Sequence, residues 1–174
     1  TGFAGTDCRF ETPDGSFDVR VPLPGRFNVA NALGAWAAVR VLEVEVTALP
    51  DAARVPGRFE PVDEGQPFAV LVDYAHTPEA LENVLAEARS LTNGRLLCVF
   101  GCGGDRDRAK RPLMGEVVSR LADRAIVTSD NPRSEEPTAI IDEILTGMRG
   151  DEDVEPDRAA AIALAIEHAD EGDI

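Results

Sequence analysis

The sequence predicts an α/β fold built on a mostly parallel sheet. Three short apolar runs, at residues 68–73, 95–100 and 125–129, each end in a polar loop that leads into a helix-start signal. Continuously apolar strands that alternate with helices are typical of parallel sheets covered by helices on their faces. With 174 residues, of which 44% are hydrophobic, the chain is long enough to build such a core.

The first fifty residues have a different pattern. Two segments that alternate in period two, Cys8–Thr12 and Ser16–Val21, flank a Pro-Asp-Gly turn and predict a β-hairpin. Asn28 is placed to cap a helix that continues to about residue 42. The apolar positions of this helix share one stripe: Leu33, Trp36, Ala37 and Val41. A lone hairpin and helix of this kind predict the end of a larger domain.

The domain boundary is expected where the composition changes. Residues 50–67 are rich in proline, glycine and charge, which predicts a linker leading into a second unit. We therefore assign residues 1–52 to the end of one domain and residues 53–174 to a second. The last three residues, 172–174, predict the first step of a further strand, so the second domain is expected to be truncated at its C-terminus.

Each helix of the second domain is predicted from its start signal. Thr77 is followed by Pro78 and Glu79, which gives an N-cap, a proline at the first helical position and an acid in the first turn. This helix should continue to about residue 89. Prolines at first helical positions predict three more helices, at residues 112–122, 137–148 and 156–169.

Composition and charge exclude several classes of function. The formal net charge is −15, whereas nucleic-acid binders usually present a basic face. The same charge argues against docking on anionic lipid, and no apolar run approaches the roughly 18 residues of a membrane span. Three cysteines, an odd number, do not predict a disulfide framework, so we expect reduced thiols and a cytoplasmic location. The 17 basic residues include a single lysine, Lys110.

Unusual polar residues follow all three predicted strands. The clusters are Asp73–Pro78, the glycine-rich segment Gly101–Asp107, and Asp130–Arg133. In parallel α/β sheets, ligands bind beyond the carboxyl ends of the strands. Three such clusters after successive strands therefore predict one shared binding cleft.

The glycine-rich segment is suited to bind an anion. Its glycines allow a close approach of the backbone or a positive φ, and a helix N-terminus follows. Arg106 could hold a carboxylate or a phosphate through two parallel hydrogen bonds. The segment matches neither the P-loop pattern Gly-x4-Gly-Lys-Ser/Thr nor the dinucleotide pattern Gly-x-Gly-x-x-Gly. The alternative is a solvated turn whose charges pair with one another.

The segment after the third strand suits an α-amino acid. Asp130 can accept hydrogen bonds from an ammonium group, and Arg133 can bind a carboxylate. Asn131 adds an amide, and Pro132 fixes the backbone between them. The alternative is an Asx-type turn that starts a helix.

Asp73 and His76 follow the first strand of the second domain. Asp73 is placed to accept a hydrogen bond from a ribose hydroxyl, or it only initiates the turn. His76 could act as a base, stack on a ligand or cap the helix. No serine or cysteine nucleophile surrounds it, so a nucleotide or structural contact ranks above catalysis. The spacing of histidines and carboxylates in these clusters does not predict a metal site.

Five segments together resemble the Mur ligase family of peptidoglycan synthesis. They are Gly25–Ala32, Pro56–Glu60, Asp73–Pro78, Gly101–Asp107 and Asp130–Arg133. The last three in combination are specific to this family. The resemblance implies an enzyme with a UDP-substrate domain, a central ATPase domain and a Rossmann-like C-terminal domain. This chain would cover the end of the central domain and most of the C-terminal domain.

The resemblance also implies an activity. ATP phosphorylates a substrate carboxylate, and an incoming amine then attacks the acyl phosphate, which releases phosphate and forms an amide. The Asp-Asn-Pro-Arg form resembles the version that adds meso-diaminopimelate to UDP-N-acetylmuramoyl-L-alanyl-D-glutamate. Lysine lacks the distal carboxylate of meso-diaminopimelate, so it would leave a buried guanidinium unpaired and be rejected.

Residue roles follow from matching positions. Asn31 would contact adenine and Asp73 the ribose, and Arg106 would bind a carboxylate of the amino acid. The residues expected around ATP are Asn31, Arg58, Asp73 and His76. The residues expected around the amino acid are Arg106, Asp130, Asn131 and Arg133. The full enzyme would use ATP with Mg²⁺, whose ligands are expected outside this chain.

Several parts of the family's machinery do not occur in these 174 residues. They are the P-loop, the modified lysine and carboxylates that hold magnesium, the UDP-substrate domain, and a Gly-x-Gly-His-Glu segment that closes the amino-acid pocket. We therefore expect no catalytic residue in this chain and no turnover of ATP by it alone.

Two other functions stay open. Folylpolyglutamate and cyanophycin synthetases share the domain plan, but they should not need the glycine-rich segment and Asp-Asn-Pro-Arg together. A non-catalytic module that binds an amino acid or a nucleotide is the other alternative. A dehydrogenase function has even less support from the sequence, because the dinucleotide pattern is missing.

Overall fold

The computed structural model describes residues 5–13, 15–43 and 55–174. It divides the chain into two compact units, residues 1–61 and 62–174, which are described separately below. The domain boundary predicted between residues 52 and 53 lies outside the described residues.

The first unit contains the predicted hairpin. Strand β1 (Thr6–Thr12) pairs antiparallel with β2 (Gly15–Val21), with Thr6 opposite Val21 and Thr12 opposite Gly15. The hairpin prediction is therefore confirmed. The Phe17 ring lies 5.2 Å from the ring of Trp36 on helix α1 (Arg26–Val41), so this contact joins the hairpin to the helix.

Helix α1 differs from its prediction in two ways. It begins after Gly25, whose φ of 93° favours glycine. Asn28 is not the cap: it lies in the first turn, where its Nδ2 donates to the Pro24 carbonyl at 2.6 Å. The predicted stripe is not buried either, since Leu33 is 39% and Val41 83% exposed. Periodicity identifies the apolar face of a helix but does not show what covers it.

The second unit has the predicted alternation of strands and helices. Strand β3 (Glu60–Val62) spans the boundary between the units and falls inside the predicted linker. The elements that follow are β4 (Val70–Val72), α2 (Pro78–Leu91), β5 (Leu97–Phe100), α3 (Lys110–Leu121), β6 (Arg124–Val127), α4 (Pro137–Leu145), β7 (Asp153–Val154) and α5 (Arg158–His168).

A parallel sheet lies at the centre of this unit. Strands β5, β6 and β7 are parallel neighbours in that order, and Phe100 of β5 is level with Val127 of β6. Helices α3 and α5 both pack on β6, and α3 also contacts α2 and α4. The core includes Leu81, Leu85, Met114, Val118, Ile126 and Ile144. The α/β fold class with a mostly parallel sheet is confirmed.

Two helix starts were predicted wrongly. Helix α3 begins at Lys110, before Pro112, because proline is tolerated anywhere in the first helical turn, where its missing N–H needs no partner. Helix α5 begins after Asp157 rather than at Pro156. The Asp157 side chain accepts a hydrogen bond from the Ala160 N–H at 3.0 Å, so this carboxylate sets the helix start.

Helices α3 and α4 approach each other closely through glycines. A Cβ on Gly115 of α3 would lie 2.5 Å from the carbonyl oxygen of Ile144. A Cβ on Gly147, after α4, would lie 2.6 Å from the carbonyl carbon of Pro112. Both neighbours are backbone atoms that cannot rotate away, so the spacing of α3 and α4 depends on these glycines.

Residues 172–174 have the hydrogen bonding of a strand, as the sequence predicts. The Ile174 N–H donates to the Arg95 carbonyl at 3.0 Å, and the Leu97 N–H donates to the Ile174 carbonyl at 2.8 Å. On the other side, the Ala69 N–H donates to the Asp173 carbonyl at 2.9 Å. This short segment therefore lies between the chain leading to β4 and the start of β5.

The Asp173 carboxylate fixes this segment. It is buried and accepts hydrogen bonds from the Asp170 N–H at 3.0 Å and from the backbone and guanidinium of Arg95 at 2.7–3.0 Å. The Asp170 amide, followed by the Arg95 guanidinium, lowers the pKa of Asp173 to about 2.

Acid is therefore expected to weaken the segment around Asp173. An unfolded aspartate has a pKa of about 3.9, so the depressed folded pKa stabilises the protein fully above about pH 5. That contribution is lost as the pH falls toward 2. Urea unfolding at about pH 5 and about pH 3 should show a loss of stability that is smaller in Asp173→Asn than in the wild type.

Asp170→Asn is the matched control, because the Asp170 side chain is 83% exposed. This variant should keep the pH dependence of the wild type. An equal pH dependence in the wild type and Asp173→Asn would contradict the assignment.

Candidate functional site

The three polar clusters lie at the carboxyl ends of strands in the second unit. Residues 73–77, here called the Asp73 loop, follow β4. The glycine-rich loop, residues 101–107, follows β5, and the Asp-Asn-Pro-Arg loop, residues 130–136, follows β6. Strands β5 and β6 belong to the parallel sheet, whereas β4 is not one of its three described strands. Parallel α/β proteins bind ligands beyond the carboxyl ends of such strands.

The glycine-rich loop and the Asp-Asn-Pro-Arg loop are joined by hydrogen bonds. The Gly104 N–H donates to the Asn131 carbonyl at 2.9 Å, and Arg133 Nη1 donates to the Gly104 carbonyl. The Asp105 carboxylate accepts from the Ser134 hydroxyl at 2.7 Å and from the Ser134 N–H at 3.2 Å. The two loops therefore form one surface.

Two glycines permit this close approach. A Cβ on Gly101 would clash with the Thr128 carbonyl oxygen, and a Cβ on Gly104 would lie 2.6 Å from the Pro132 carbonyl carbon. Asp105 and Arg133 have φ values of 51° and 52°, in the left-handed region that non-glycine residues rarely adopt. Strained backbone of this kind persists where surrounding bonds hold it, and it is common at ligand sites.

Three polar side chains of these loops are left to face solvent. Arg106, Asp130 and Asn131 are exposed, and their side chains form no hydrogen bond or ion pair with any residue that the structure describes. Arg133 is also exposed and donates to Gly104 through one of its five N–H groups. A guanidinium, a carboxylate and an amide are thus available at one surface.

A buried ion pair lies beneath the two loops. Arg111 of α3 is 0% exposed, and its guanidinium contacts Glu135 at 2.7 and 2.9 Å and Glu143 at 2.8 Å. The pKa of Arg111 is raised, mainly by its hydrogen bonds to Glu135. Arg111 in turn lowers the pKa of Glu135 to about 2. Both groups are therefore charged at neutral pH.

The charged side chains of the glycine-rich segment do not pair with one another in the part of the chain that the structure describes. Asp105 accepts from the neutral Ser134 of the other loop, and Arg106 forms no ion pair with a described residue. Arg108, just after the segment, pairs with Glu143 of α4, which lowers the Glu143 pKa. The alternative of a turn whose charges pair with one another is therefore not what the structure shows.

The Asp73 loop has its own internal structure. The Asp73 carboxylate accepts from the Ala75 N–H at 2.7 Å, which is the bond of a turn-initiating aspartate. The rings of Tyr74 and His76 lie 4.9 Å apart. Lys110 of α3 donates to the His76 carbonyl at 2.7 Å, so the only lysine of the chain connects this loop to α3.

Asn31 and Arg58, the other two residues predicted at ATP, belong to the first unit. Both are exposed, and Asn31 lies on α1. Arg58 lies between Gly57 and Phe59, which have φ values of 69° and 48°. The Phe59 side chain is fully buried and makes a ring contact with Phe27 at 5.5 Å, so this unusual backbone is held by packing.

Glu135, Ser134 and Glu143 were not singled out from the sequence. Glu135 directly follows the Asp-Asn-Pro-Arg motif, but its partner Arg111 is 24 residues away. In the sequence, Arg111 is one of several basic residues that follow the glycine-rich loop, and nothing distinguishes it from the others. A single sequence contains no signal that pairs two charges at that distance.

The structure shows neither a metal cluster nor a membrane span in its described parts. Within residues 5–13, 15–43 and 55–174, no group of three histidine, cysteine or acidic side chains is placed to hold a metal ion. None of the helices in these ranges is long and apolar enough to cross a bilayer. All three cysteines are free thiols, and burial raises the pKa of Cys98 to about 12 and of Cys102 to about 11.

Comparison with known proteins agrees with the geometry. A sequence profile described as "Mur ligase, glutamate ligase domain" matches residues 57–174. The chain belongs to the Mur ligase family. The resemblance noted from the five segments is thereby confirmed, and the C-terminal domains of this family have the same α/β fold.

Individual relatives support the same conclusion. A protein of Synechococcus elongatus named UDP-N-acetylmuramoyl-L-alanyl-D-glutamate--2,6-diaminopimelate ligase is 52% identical over 180 residues, covering 99% of this chain and 36% of the relative. A solved structure with the same protein name is 38% identical with a TM-score of 0.68, over 99% of this chain and 37% of that one. This chain thus spans about a third of the length of the relatives it matches.

A second kind of Mur-family structure is also similar. The structure of E. coli FolC in complex with ADP, without folate substrate, has 27% identity and a TM-score of 0.71 over 95% of this chain and 39% of that one. That protein was solved with ADP bound.

Proposed function

We propose that this chain forms the amino-acid pocket, and part of the nucleotide site, of an ATP-dependent ligase. The ligase joins meso-diaminopimelate to UDP-N-acetylmuramoyl-L-alanyl-D-glutamate. The observation that carries the proposal is the surface formed by the glycine-rich loop and the Asp-Asn-Pro-Arg loop. It presents the side chains of Arg106, Asp130 and Asn131, which form no hydrogen bond or ion pair with a described residue.

This surface has the groups that an amino acid requires. Arg106 supplies a planar guanidinium for a carboxylate, and Asp130 supplies an acceptor for an ammonium group. Asn131 can donate to a carboxylate or accept from an ammonium group. Because one backbone bond and several side-chain bonds hold the loops together, these side chains start from a nearly fixed framework, which lowers the entropic cost of binding.

The guanidinium of Arg133, the second one at this surface, favours meso-diaminopimelate over lysine. Arg133 uses Nη1 to bond Gly104 and has other N–H groups left for a ligand. Meso-diaminopimelate has two carboxylates, so it can occupy both Arg106 and Arg133. Lysine has one carboxylate and would leave one arginine without an anion.

The Asp73 loop is proposed to contact the nucleotide. Asp73 would accept a hydrogen bond from the ribose through its carboxylate, which lies in the loop that follows β4. The paired rings of Tyr74 and His76 offer an aromatic surface beside it. Asn31 and Arg58 would complete the nucleotide contacts from the first unit. The ligands of the Mg²⁺ that the proposed ligase would use are expected outside this chain.

In the proposed reaction, this chain positions the amino-acid substrate. In the proposed ligase, ATP phosphorylates the carboxylate of the UDP-linked substrate. The amine of meso-diaminopimelate attacks the carbonyl carbon, a C–N bond forms, the C–O bond to phosphate breaks, and the amine loses a proton. Arg106, Asp130 and Arg133 would hold the amino acid so that its amine meets the acyl phosphate. Soluble substrates and free thiols fit a cytoplasmic location.

The test uses the full-length protein that contains these residues. Phosphate release should depend on both ATP and UDP-N-acetylmuramoyl-L-alanyl-D-glutamate, and meso-diaminopimelate should be preferred over L-lysine and L-glutamate by at least about 100-fold in kcat/KM. The 174-residue chain alone, which has no P-loop motif, should release no phosphate. A preference for L-glutamate onto a folate would instead assign the FolC type of function.

A further inference from the structure

The amino-acid pocket is supported by residues that do not face a ligand. Arg111, the second residue of α3, is fully buried. Its Nη1 donates to Glu135 at 2.9 Å and to Glu143 at 2.8 Å. Its Nη2 donates to Glu135 at 2.7 Å and to the Gly103 carbonyl at 3.4 Å. One guanidinium therefore contacts the glycine-rich loop, the Asp-Asn-Pro-Arg loop and α4.

Glu135 connects this guanidinium to the loop tip that carries Arg106. The Glu135 Oε1 atom accepts from Arg111 and also from the Asp105 N–H, at 2.6 Å. Asp105 directly precedes Arg106 and has a φ of 51°, a conformation that needs support from its surroundings. The Asp105 carboxylate also bonds the Asp-Asn-Pro-Arg loop, because it accepts hydrogen bonds from the Ser134 N–H and hydroxyl. Each loop thus fixes the backbone of the other.

We propose that Arg111 and Glu135 are positioning residues for the acceptor amino acid, which set the direction of Arg106 relative to the Asp-Asn-Pro-Arg loop. This inference rests on the proposed function of the pocket. The guanidinium fork makes the placement specific, because its two nitrogens bind both oxygens of Glu135 in one geometry.

The contacts of Glu135 indicate that it matters more for the pocket than for the stability of the fold. Glu143 on α4 gives Arg111 a second carboxylate, so the buried charge keeps a partner when Glu135 is changed. The Asp105 N–H has no such substitute among the described residues, since Glu135 is the residue that bonds it. A change at Glu135 should therefore disturb the pocket more than the fold.

The test measures acceptor and nucleotide constants separately in the full-length ligase. Glu135→Gln and Arg111→Lys should each raise the KM for meso-diaminopimelate at least about tenfold, because small misplacements of a binding group have effects of this size. The KM for ATP should stay within about twofold of the wild type, because neither residue contacts the Asp73 loop. Arg120→Lys, on the same helix and in an exposed pair with Glu82, is the matched control and should change neither constant.

The double variant Arg111→Lys/Glu135→Gln gives a second readout. If both residues act through one contact, the KM effects of the two substitutions should be clearly less than multiplicative. Multiplicative effects would indicate independent roles and would overturn the proposal. Thermal unfolding of each variant shows whether the protein is folded, and Glu135→Gln decides the matter if Arg111→Lys does not fold.

Two further outcomes are distinguishable. Equal increases in the KM for ATP and for the amino acid, or a lower kcat with unchanged KM values, would overturn the positioning role. If the wild type accepts a different amino acid, the proposed function fails, but the same comparison made with that acceptor still tests Arg111 and Glu135.

Discussion

Replacing Gly104 by alanine is expected to disrupt the amino-acid pocket. The new methyl group would lie 2.6 Å from the Pro132 carbonyl carbon and closer still to its oxygen, so one of the two loops must move. That movement breaks the bonds from the Gly104 N–H to Asn131 and from Arg133 to the Gly104 carbonyl. The KM for meso-diaminopimelate should rise about 100-fold or more, and the free energy of unfolding should fall by about 1–3 kcal/mol.

Gly34→Ala is the control for Gly104→Ala. Gly34 lies within helix α1, and a Cβ there meets no described atom within 4 Å outside the neighbouring backbone of its own helix. Alanine in a helix is favoured over glycine by about 0.5–1 kcal/mol, so this variant should be as stable as the wild type or more stable. Steady-state kinetics and urea unfolding of both variants test the prediction. A normal acceptor KM in Gly104→Ala would show that the loop contact is not needed for binding.

The elements that the sequence predicted correctly depend on local interactions. The Thr77 hydroxyl accepts from the Ala80 N–H at 3.2 Å, three residues away, and Pro78 occupies the first helical position. Strands β1 and β2 are likewise close in sequence, and Thr12 pairs with Gly15. Such caps and turns are stabilised within a few residues, so a single sequence contains the whole signal.

The support of the site could not be predicted, because it depends on contacts distant in sequence. The sequence indicated that three clusters meet at one sheet edge, but not which side chains face a ligand and which hold the loops. Arg111 and Glu135 are 24 residues apart, and Gly104 needs to be glycine because of Pro132, in another loop. Arg106 and Arg111 have the same chemistry in the sequence, and burial alone separates their roles.

The start of α3 links the three loops that were expected to share a cleft. Lys110 donates to the His76 carbonyl in the Asp73 loop, and Arg111 bonds the other two loops. A backbone bond from the Gly104 N–H to the Asn131 carbonyl joins the glycine-rich loop to the Asp-Asn-Pro-Arg loop, and Lys110 joins α3 to the Asp73 loop. Two adjacent residues thus connect the proposed nucleotide side with the proposed amino-acid side.

Alanine substitutions of Arg106 and Arg133 are expected to have different effects on the two amino acids. Arg106→Ala should weaken the binding of meso-diaminopimelate and lysine equally, whereas Arg133→Ala should weaken the binding of meso-diaminopimelate alone. Hydrogen bonds to charged groups are worth about 1.5–3 kcal/mol, so losing Arg106 should raise the KM for meso-diaminopimelate roughly 10- to 100-fold. The KM for ATP should change less than about twofold, because Arg106 lies on the amino-acid side of the site. Lysine should be affected equally by this substitution, since Arg106 is proposed to bind a carboxylate that both amino acids share.

Arg133→Ala should act differently, because Arg133 is proposed to bind the distal carboxylate that lysine lacks. Its substitution should raise the KM for meso-diaminopimelate about tenfold or more and leave lysine nearly unchanged, so the preference between them falls. Arg120→Ala removes only an exposed ion pair with Glu82, so it should leave the KM values for meso-diaminopimelate and lysine unchanged. Steady-state kinetics with the two amino acids and with ATP measure all of these constants. An equal rise for ATP and meso-diaminopimelate in Arg133→Ala would contradict its place in the pocket, since a distal-carboxylate contact cannot act on the nucleotide.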